Sequence, residues 1–234
     1  MPLPENDALF IEEFPCAYFD DGRIARIEYL ITDTDAMRSF HQHLATGHRR
    51  LGRTFYRTIC RGCSACVPIR INVGLFQARK SQKRTLRMNA DIQVIVRPSG
   101  ELSPEQRELF SNYLLTKHNK KEEANNDEDL QLRIIHFGYA RSIEMDYYLD
   151  GRLIGVGIVD AAQDALSANY FYYDTGFLRR RLGVFSILQE IALAQALGKR
   201  YYYLGFLIEE NPKMAYKRDF RPHELYLSGA WKTV

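Results

Sequence analysis

Asp150-Gly151 lies between two strand-forming runs, Ser142 to Leu149 and Leu153 to Val159. An Asp-Gly pair at that place favours a two-residue turn with positive φ, which closes an antiparallel hairpin. A third run, Leu166 to Tyr173, follows after a short polar break at Ala161 to Asp164. Arg180 to Leu197 then carries apolar residues at Leu182, Phe185, Leu188, Ala192 and Ala196. That spacing predicts a helix, and Gly198 stops it. Arg200 to Phe206 predicts one more strand. Three consecutive strands, a long helix and a further strand leave few folds open to this chain.

The flanking sequence adds to both sides. Ile24 to Ile31 has strand composition, Asp33 or Thr34 can cap a helix to about Ala45 that Gly47 ends, and Arg53 to Ile59 alternates weakly as a strand. Ser81 can cap a short helix, Gln82 to Met88. Ile92 to Val96 is a strand ended by Pro98, and Ser103-Pro104-Glu105-Gln106 is a helix start running on to about His118. Lys120 to Asp129 reads as a charged linker, Leu130 to Phe137 as an apolar stretch, Pro212 to Arg218 as a short helix and Glu224 to Leu227 as a last strand. This order, β-α-α-β-β-β-α-β-α-β, resembles the acetyltransferase-type (GNAT) fold. The resemblance implies an α+β protein, with a small cysteine-containing N-terminal region (1–90) and a mixed sheet flanked by helices (91–234).

The chain has 234 residues, enough for a full core. It has no run of about 18 apolar residues, so no membrane span is expected. Its start lacks the basic and apolar regions of a secretion signal. Three of its four cysteines fall within seven residues, which is no disulfide framework, so a cytoplasmic location is expected.

Charge is unevenly distributed. Ala36 through Ala90 contains no Asp or Glu but twelve Lys or Arg, although the whole chain is only +3. Such a segment makes a surface for a polyanion, and nucleic-acid phosphates are the expected partner. Within it, Cys60, Cys63 and Cys66 have the spacing of thiolates around an iron–sulfur cluster, while zinc sites also use Cys-x2-Cys pairs. Either needs a fourth ligand, and Cys16 and His48 are the candidates. With Gly62 and Pro68, the segment reads as a loop.

Arg180 and Gly183 at the long helix match part of a coenzyme A pyrophosphate pattern, but Phe185 stands where that pattern wants Gly or Ala. Tyr170 to Tyr173 and Tyr201 to Phe206 are aromatic strands, mostly core. Lys213 and Lys217 are four apart, which places them on one helical face.

Several separated motifs carry a closer resemblance. They are Pro15-Cys16-Ala17-Tyr18; Tyr56-Arg57 through Cys60-x2-Cys63-x2-Cys66-x-Pro68-x-Arg70; Ser81-Gln82-Lys83-Arg84-x3-Met88-Asn89; Tyr203-Leu204-Gly205; and Pro212-Lys213-Met214-x-Tyr216-Lys217-x2-Phe220-Arg221-Pro222-x-Glu224. In this order they resemble the bacterial aspartate/glutamate leucyltransferases, relatives of the arginyl-tRNA–protein transferases. The resemblance implies transfer of leucine from Leu-tRNA to proteins beginning with Asp or Glu, feeding N-degron proteolysis. In the eukaryotic relatives the first motif has a second cysteine, which Phe19 replaces here.

Aminoacyl-tRNA is already an activated ester, so no cofactor is required by the chemistry; an iron–sulfur cluster or zinc on Cys16, Cys60, Cys63 and Cys66 would be structural. The acceptor's acidic side chain needs a cation, for which Arg70 and then Arg57 are expected. Lys83, Arg84, Lys213, Lys217 and Arg221 are expected to meet tRNA phosphates, and Tyr203 and Phe206 to line a leucine pocket. The residues do not single out a catalytic base. Three other readings stay open: arginine as the donor, a coenzyme A-dependent N-acyltransferase, and a non-enzymatic, metal-stapled RNA-binding protein.

Overall fold

The computed structural model describes residues 8–31, 36–117, 128–137 and 141–234. The expected cap at Asp33 or Thr34, the position of His118 and most of the charged linker lie outside them. In chain order the elements are β1 (Ala8–Pro15), β2 (Ile24–Ile31), α1 (Ala36–Ala45), β3 (Arg49–Leu51), β4 (Thr54–Thr58), β5 (Val67–Asn72), α2 (Lys80–Met88), β6 (Gln93–Pro98), α3 (Pro104–Lys117), α4 (Glu128–His136), β7 (Arg141–Leu149), β8 (Arg152–Ala161), β9 (Ala165–Tyr173), α5 (Leu182–Ala196), β10 (Tyr201–Leu207), α6 (Pro212–Ala215), β11 (His223–Leu227) and β12 (Ala230–Thr233).

They form two sheets, a small one ordered β1-β2-β4-β3 and a large one ordered β12-β11-β5-β10-β9-β8-β7-β6. The large sheet is antiparallel except for β9 and β10, which pair parallel. Helix α5 covers one face through Leu182, Phe185, Leu188 and Ile191, packed on Tyr147, Leu166 and Tyr202. Helices α3 and α4 cover the other through Leu109, Phe110, Leu132 and Ile135, against Val156, Ile158 and Tyr172. This is the expected acetyltransferase-like α+β architecture.

The local signals act as expected at several points. Ser103 and Gln106 form a reciprocal capping box at the start of α3, with hydrogen bonds of 2.9 and 3.2 Å. Asp150 and Gly151 both take positive φ in the β7–β8 turn.

One expectation needs correction. The cysteine segment is a loop only as far as Cys66, because Val67–Asn72 is β5, held between β10 and β11. Pro68 is tolerated there because β11 pairs only with Ile69, Arg70 and Ile71. At Pro68 the strand has β10 on one side and no second neighbour, so the missing N–H breaks no ladder on that side. The large sheet therefore draws a strand from the N-terminal 90 residues, and residue 90 does not separate the two sheets.

The small sheet is fastened to the large one through β3. Arg50 donates from Nε and Nη2 to the Asp160 carboxylate on β8 at 2.7 and 2.8 Å, and both side chains are 1% exposed. Leu30, Phe40, Leu44 and Phe55 complete the contact against Ala162, Ala165 and Tyr203.

Candidate active site

The parallel pair β9–β10 is short. Tyr201, Tyr202 and Tyr203 pair with Ala165, Leu166 and Ser167, and beyond them the strands part. A bulge between Tyr203 and Gly205 shifts the register of β10 against β5, and Gly205 has φ +93°. Carbonyls on both lips of the opening then need other donors. Arg49, next to the buried Arg50 on β3, donates from Nη2 to the carbonyls of Ala168 (2.7 Å) and Asn169 (3.4 Å) on β9. Lys217 donates from Nζ to the carbonyl of Phe206 on β10 at 3.1 Å. The two cations converge beside Gly205: a Cβ built there would overlap Arg49 Nη1, stand 3.0 Å from its Cζ and 3.4 Å from Lys217 Nζ.

Burial and the positive Arg49 push the Lys217 amine down to about 7, and Glu190 opposes the shift. Glu190, on α5, is held at 2.5 Å by both Ser186 Oγ and Tyr202 Oη, and burial pushes its carboxyl up to about 7. A half-buried amine beside the strand opening and a buried carboxyl on α5 are thus each shifted toward neutral pH.

Beside the opening lies a cavity of about 220 Å³, walled by Tyr18, Phe19, Ile27, Tyr29, Tyr56 and Phe206 and by all four cysteines. Tyr56 and Phe206 meet edge to face at 6.3 Å, and the Arg49 guanidinium lies 5.7 Å from the Phe206 ring. The thiols are unbonded to one another. Arg26 N–H donates to Cys60 Sγ at 3.3 Å and Arg23 Nη1 to Cys63 Sγ at 3.4 Å. Burial, reinforced by the other three cysteines, pushes the Cys66 thiol up to about 12.

The expected site residues separate into groups. Lys83, Arg84 and Arg87 are exposed on α2, and Lys213 and Arg221 are exposed nearby in the chain order of the last third. Arg79 and Gln82 tie α2 to Asp219 in the turn that also carries Lys217. Lys217 itself leaves that face: the helix tightens to a 3-10 turn over Tyr216–Asp219 and the amine turns inward. Arg70 is already engaged. It pairs with Glu224 at 2.6 Å, donates to Tyr203 Oη at 3.0 Å, and sits 3.8 Å over Tyr201 and 4.4 Å over Trp231. Arg57 pairs with Glu28 at 2.5 Å. Arg70 is enclosed by its partners, whereas Arg57 is bonded through Nε and its side chain stays about half exposed.

Phe206 is in the cavity wall, whereas Tyr203 lines a separate narrow cleft with His48, Arg49 and Trp231. His48 is therefore apart from the cysteines, bonded to Thr46 at 3.0 Å. Phe185 points into the core against Tyr147, so it does not obstruct the start of α5, while Arg180 there is held by both Asp91 oxygens. Arg49, Glu190 and Gly205 were missed as a site. Only Gly205 left a sequence signal, as a glycine inside an aromatic strand.

A mixed sheet that opens at its parallel pair, with an amine, a guanidinium and an apolar cavity at the opening, has the parts of a group-transfer site. Comparison with known proteins narrows this. Residues 14–84 match the N-terminal model of the arginine-tRNA-protein transferases, and residues 105–227 the C-terminal one. An aspartate/glutamate leucyltransferase of Nitrosococcus oceani is 36% identical over 94% of this chain and 92% of its own length. One from Pseudoalteromonas atlantica is 32% identical over 95% of each. Among solved structures, FemX is 8% identical, covering 93% of this chain and 86% of that one at a TM-score of 0.49. The chain belongs to the arginine-tRNA–protein transferase family, in the company of its aspartate/glutamate leucyltransferases, and is a transferase. No helix among the described residues is long and apolar enough to cross a membrane.

Proposed function

We propose that this protein moves leucine from Leu-tRNA onto the α-amine of cytoplasmic proteins that begin with Asp or Glu, feeding N-degron proteolysis. The observation that carries the reading is the parting of β9 and β10 at Gly205, where an acyl group and an amine can meet between two strand edges. The tRNA phosphates have Lys83, Arg84, Lys213 and Arg221 to lie on, and the leucyl side chain has the Tyr56–Phe206 wall.

The donor ester is already activated. Attack by the neutral α-amine forms the amide C–N bond and breaks the ester C–O bond, and the amine's proton is returned to the ribose oxygen that leaves. Positioning supplies much of the rate in such a transfer.

The four thiols ring one cavity rather than close on a single point as ligands of one ion would. Four sulfurs, two of them already accepting N–H hydrogen bonds, suit an iron–sulfur cluster. Cys16, Cys60, Cys63 and Cys66 would hold it, and it would supply a covalent staple between the loop after β1 and the loop before β5.

The test is incubation with radiolabelled Leu-tRNA or Arg-tRNA and an Asp-initiated peptide. Label transferred from Leu-tRNA supports the reading. Label transferred from Arg-tRNA alone makes the chain an arginyltransferase.

A further inference from the structure

Arg49 and Lys217 are two cations on opposite lips of one opening, and neither is in an ion pair among the described residues. The other arginines once expected to read the acceptor are each spent on an internal carboxylate, Arg70 on Glu224 and Arg57 on Glu28. Two cations held this close are costly: burial first, and then the positive Arg49, lower the Lys217 amine, and Glu190 offsets this only in part. What relieves the cost is an anion placed between them. Resting on the reading above, we infer that the acceptor's first side chain docks its carboxylate on Arg49 and Lys217, so that this pair selects Asp and Glu.

The chemistry fits the position. Arg49 uses Nη2 on the β9 carbonyls, and its Nη1 and Nε make no hydrogen bond among the described residues, so they can donate to a carboxylate. Lys217 spends one of three donors on Phe206. A carboxylate seated there puts its own α-amine within one residue's reach of the strand opening. An amide in its place brings no charge, and both cations stay uncompensated, so Asn- and Gln-initiated chains are rejected. The charged and titratable groups around Lys217 are Arg49 on β3, Glu190 on α5 with Tyr202 of β10, and Tyr216 beside it in the chain. Glu190 is committed to Ser186 and Tyr202. The acceptor carboxylate would be the first anion in the opening itself.

The experiment measures kcat/KM for Asp- and Asn-initiated peptides, with Leu-tRNA affinity read separately, in wild type, Arg49→Met and Arg49→Lys. The Asp-over-Asn preference should fall by about 30-fold or more in Arg49→Met, with tRNA affinity little changed, and recover in part in Arg49→Lys. A preference that survives in Arg49→Met, or a loss confined to tRNA affinity, overturns the assignment. A second measurement uses the wild type alone. A succinyl-capped peptide carries the side-chain carboxylate without an α-amine. Its binding heat at pH 7.5 should depend on the buffer's ionisation enthalpy, because Lys217 takes up part of a proton as the anion arrives. Binding with no proton uptake, or equal binding by the succinamoyl peptide, also overturns it. Wild type that transfers no leucine to any peptide would instead refute the functional reading.

Discussion

Arg50 and Asp160 face each other through two parallel hydrogen bonds in a site closed to water, and they join the small sheet to the large one. Arg50 also donates to the carbonyls of Gly52 and Ile135, and Asp160 accepts from Ser142 and Asn169. Removing one partner leaves the other charge buried. Asp160→Ala should therefore lower stability by about 3–5 kcal/mol, measured by urea unfolding. Activity should fall at temperatures where the variant is still folded, because Arg49 is the next residue on β3. A loss below 1 kcal/mol would mean that water reaches the pair.

Gly205 is the most position-specific residue of the opening. Gly205→Ala adds a Cβ against the Arg49 guanidinium on a backbone with φ +93°. Leucine transfer should be abolished while tRNA affinity remains. Gly229→Ala is the control: φ is +79° there as well, but a Cβ meets nothing within 4 Å. It should cost stability through strain alone and leave transfer intact.

The exposed cations of α2 should behave as phosphate contacts. Lys83→Gln with Arg84→Gln should weaken tRNA binding and reduce the slope of log affinity against log salt by about 1 to 2. Arg70→Gln should differ. It should leave the salt slope alone and lower the melting temperature, since Glu224 loses its partner and the Trp231 cage its cation.

Lys217 makes a signed contribution to stability. Its amine is held near 7 in the fold and returns to about 10.5 on unfolding. Between those values the unfolded chain binds more protons, so this group's contribution to stability rises with pH. The penalty is full below pH 7 and gone above about 10.5. Lys217→Met should thus be more stable than wild type at pH 7, with the difference narrowing toward pH 10, by urea midpoints. A difference constant across that range would place the amine in water.

Metal content is the check on the cysteines. Protein purified without air should carry iron and inorganic sulfide, and Cys60→Ser or Cys66→Ser should lose them together with several degrees of melting temperature. tRNA affinity should be kept, because the α2 cations are elsewhere. Metal-free wild type with full activity and an unchanged melting curve would leave the thiols as packing groups.

The large-sheet architecture was legible because its signals are local. The Asp150-Gly151 turn, the Ser103 capping box and the spacing along α5 each act within a few residues. β5 was not, since cysteines, Gly62 and Pro68 all read as loop; only the neighbours in space show that one flank at Pro68 is unpaired. Charge misled in the same way. Arg49, Arg50 and Arg70 counted toward a basic surface, but their partners Ala168, Asp160 and Glu224 lie 119, 110 and 154 residues away. Lys217 shares a helical spacing with Lys213, and only the tightening of the helix after Ala215 turns it inward. The family motifs were legible as a pattern; what each residue in them does depends on contacts that no window of sequence contains.

The placing of β5 between β10 and β11 also sets an order of events during synthesis. A strand completed at Asn72 must wait for partners that begin at Tyr201 and His223 before either of its edges is covered. Until then the cysteine loop ahead of it has no fixed floor, and the lip of the opening that bears Phe206 has not been made. Both edges of β5, and with them the lip of the opening that bears Phe206, are complete only once β10 and β11 have been made.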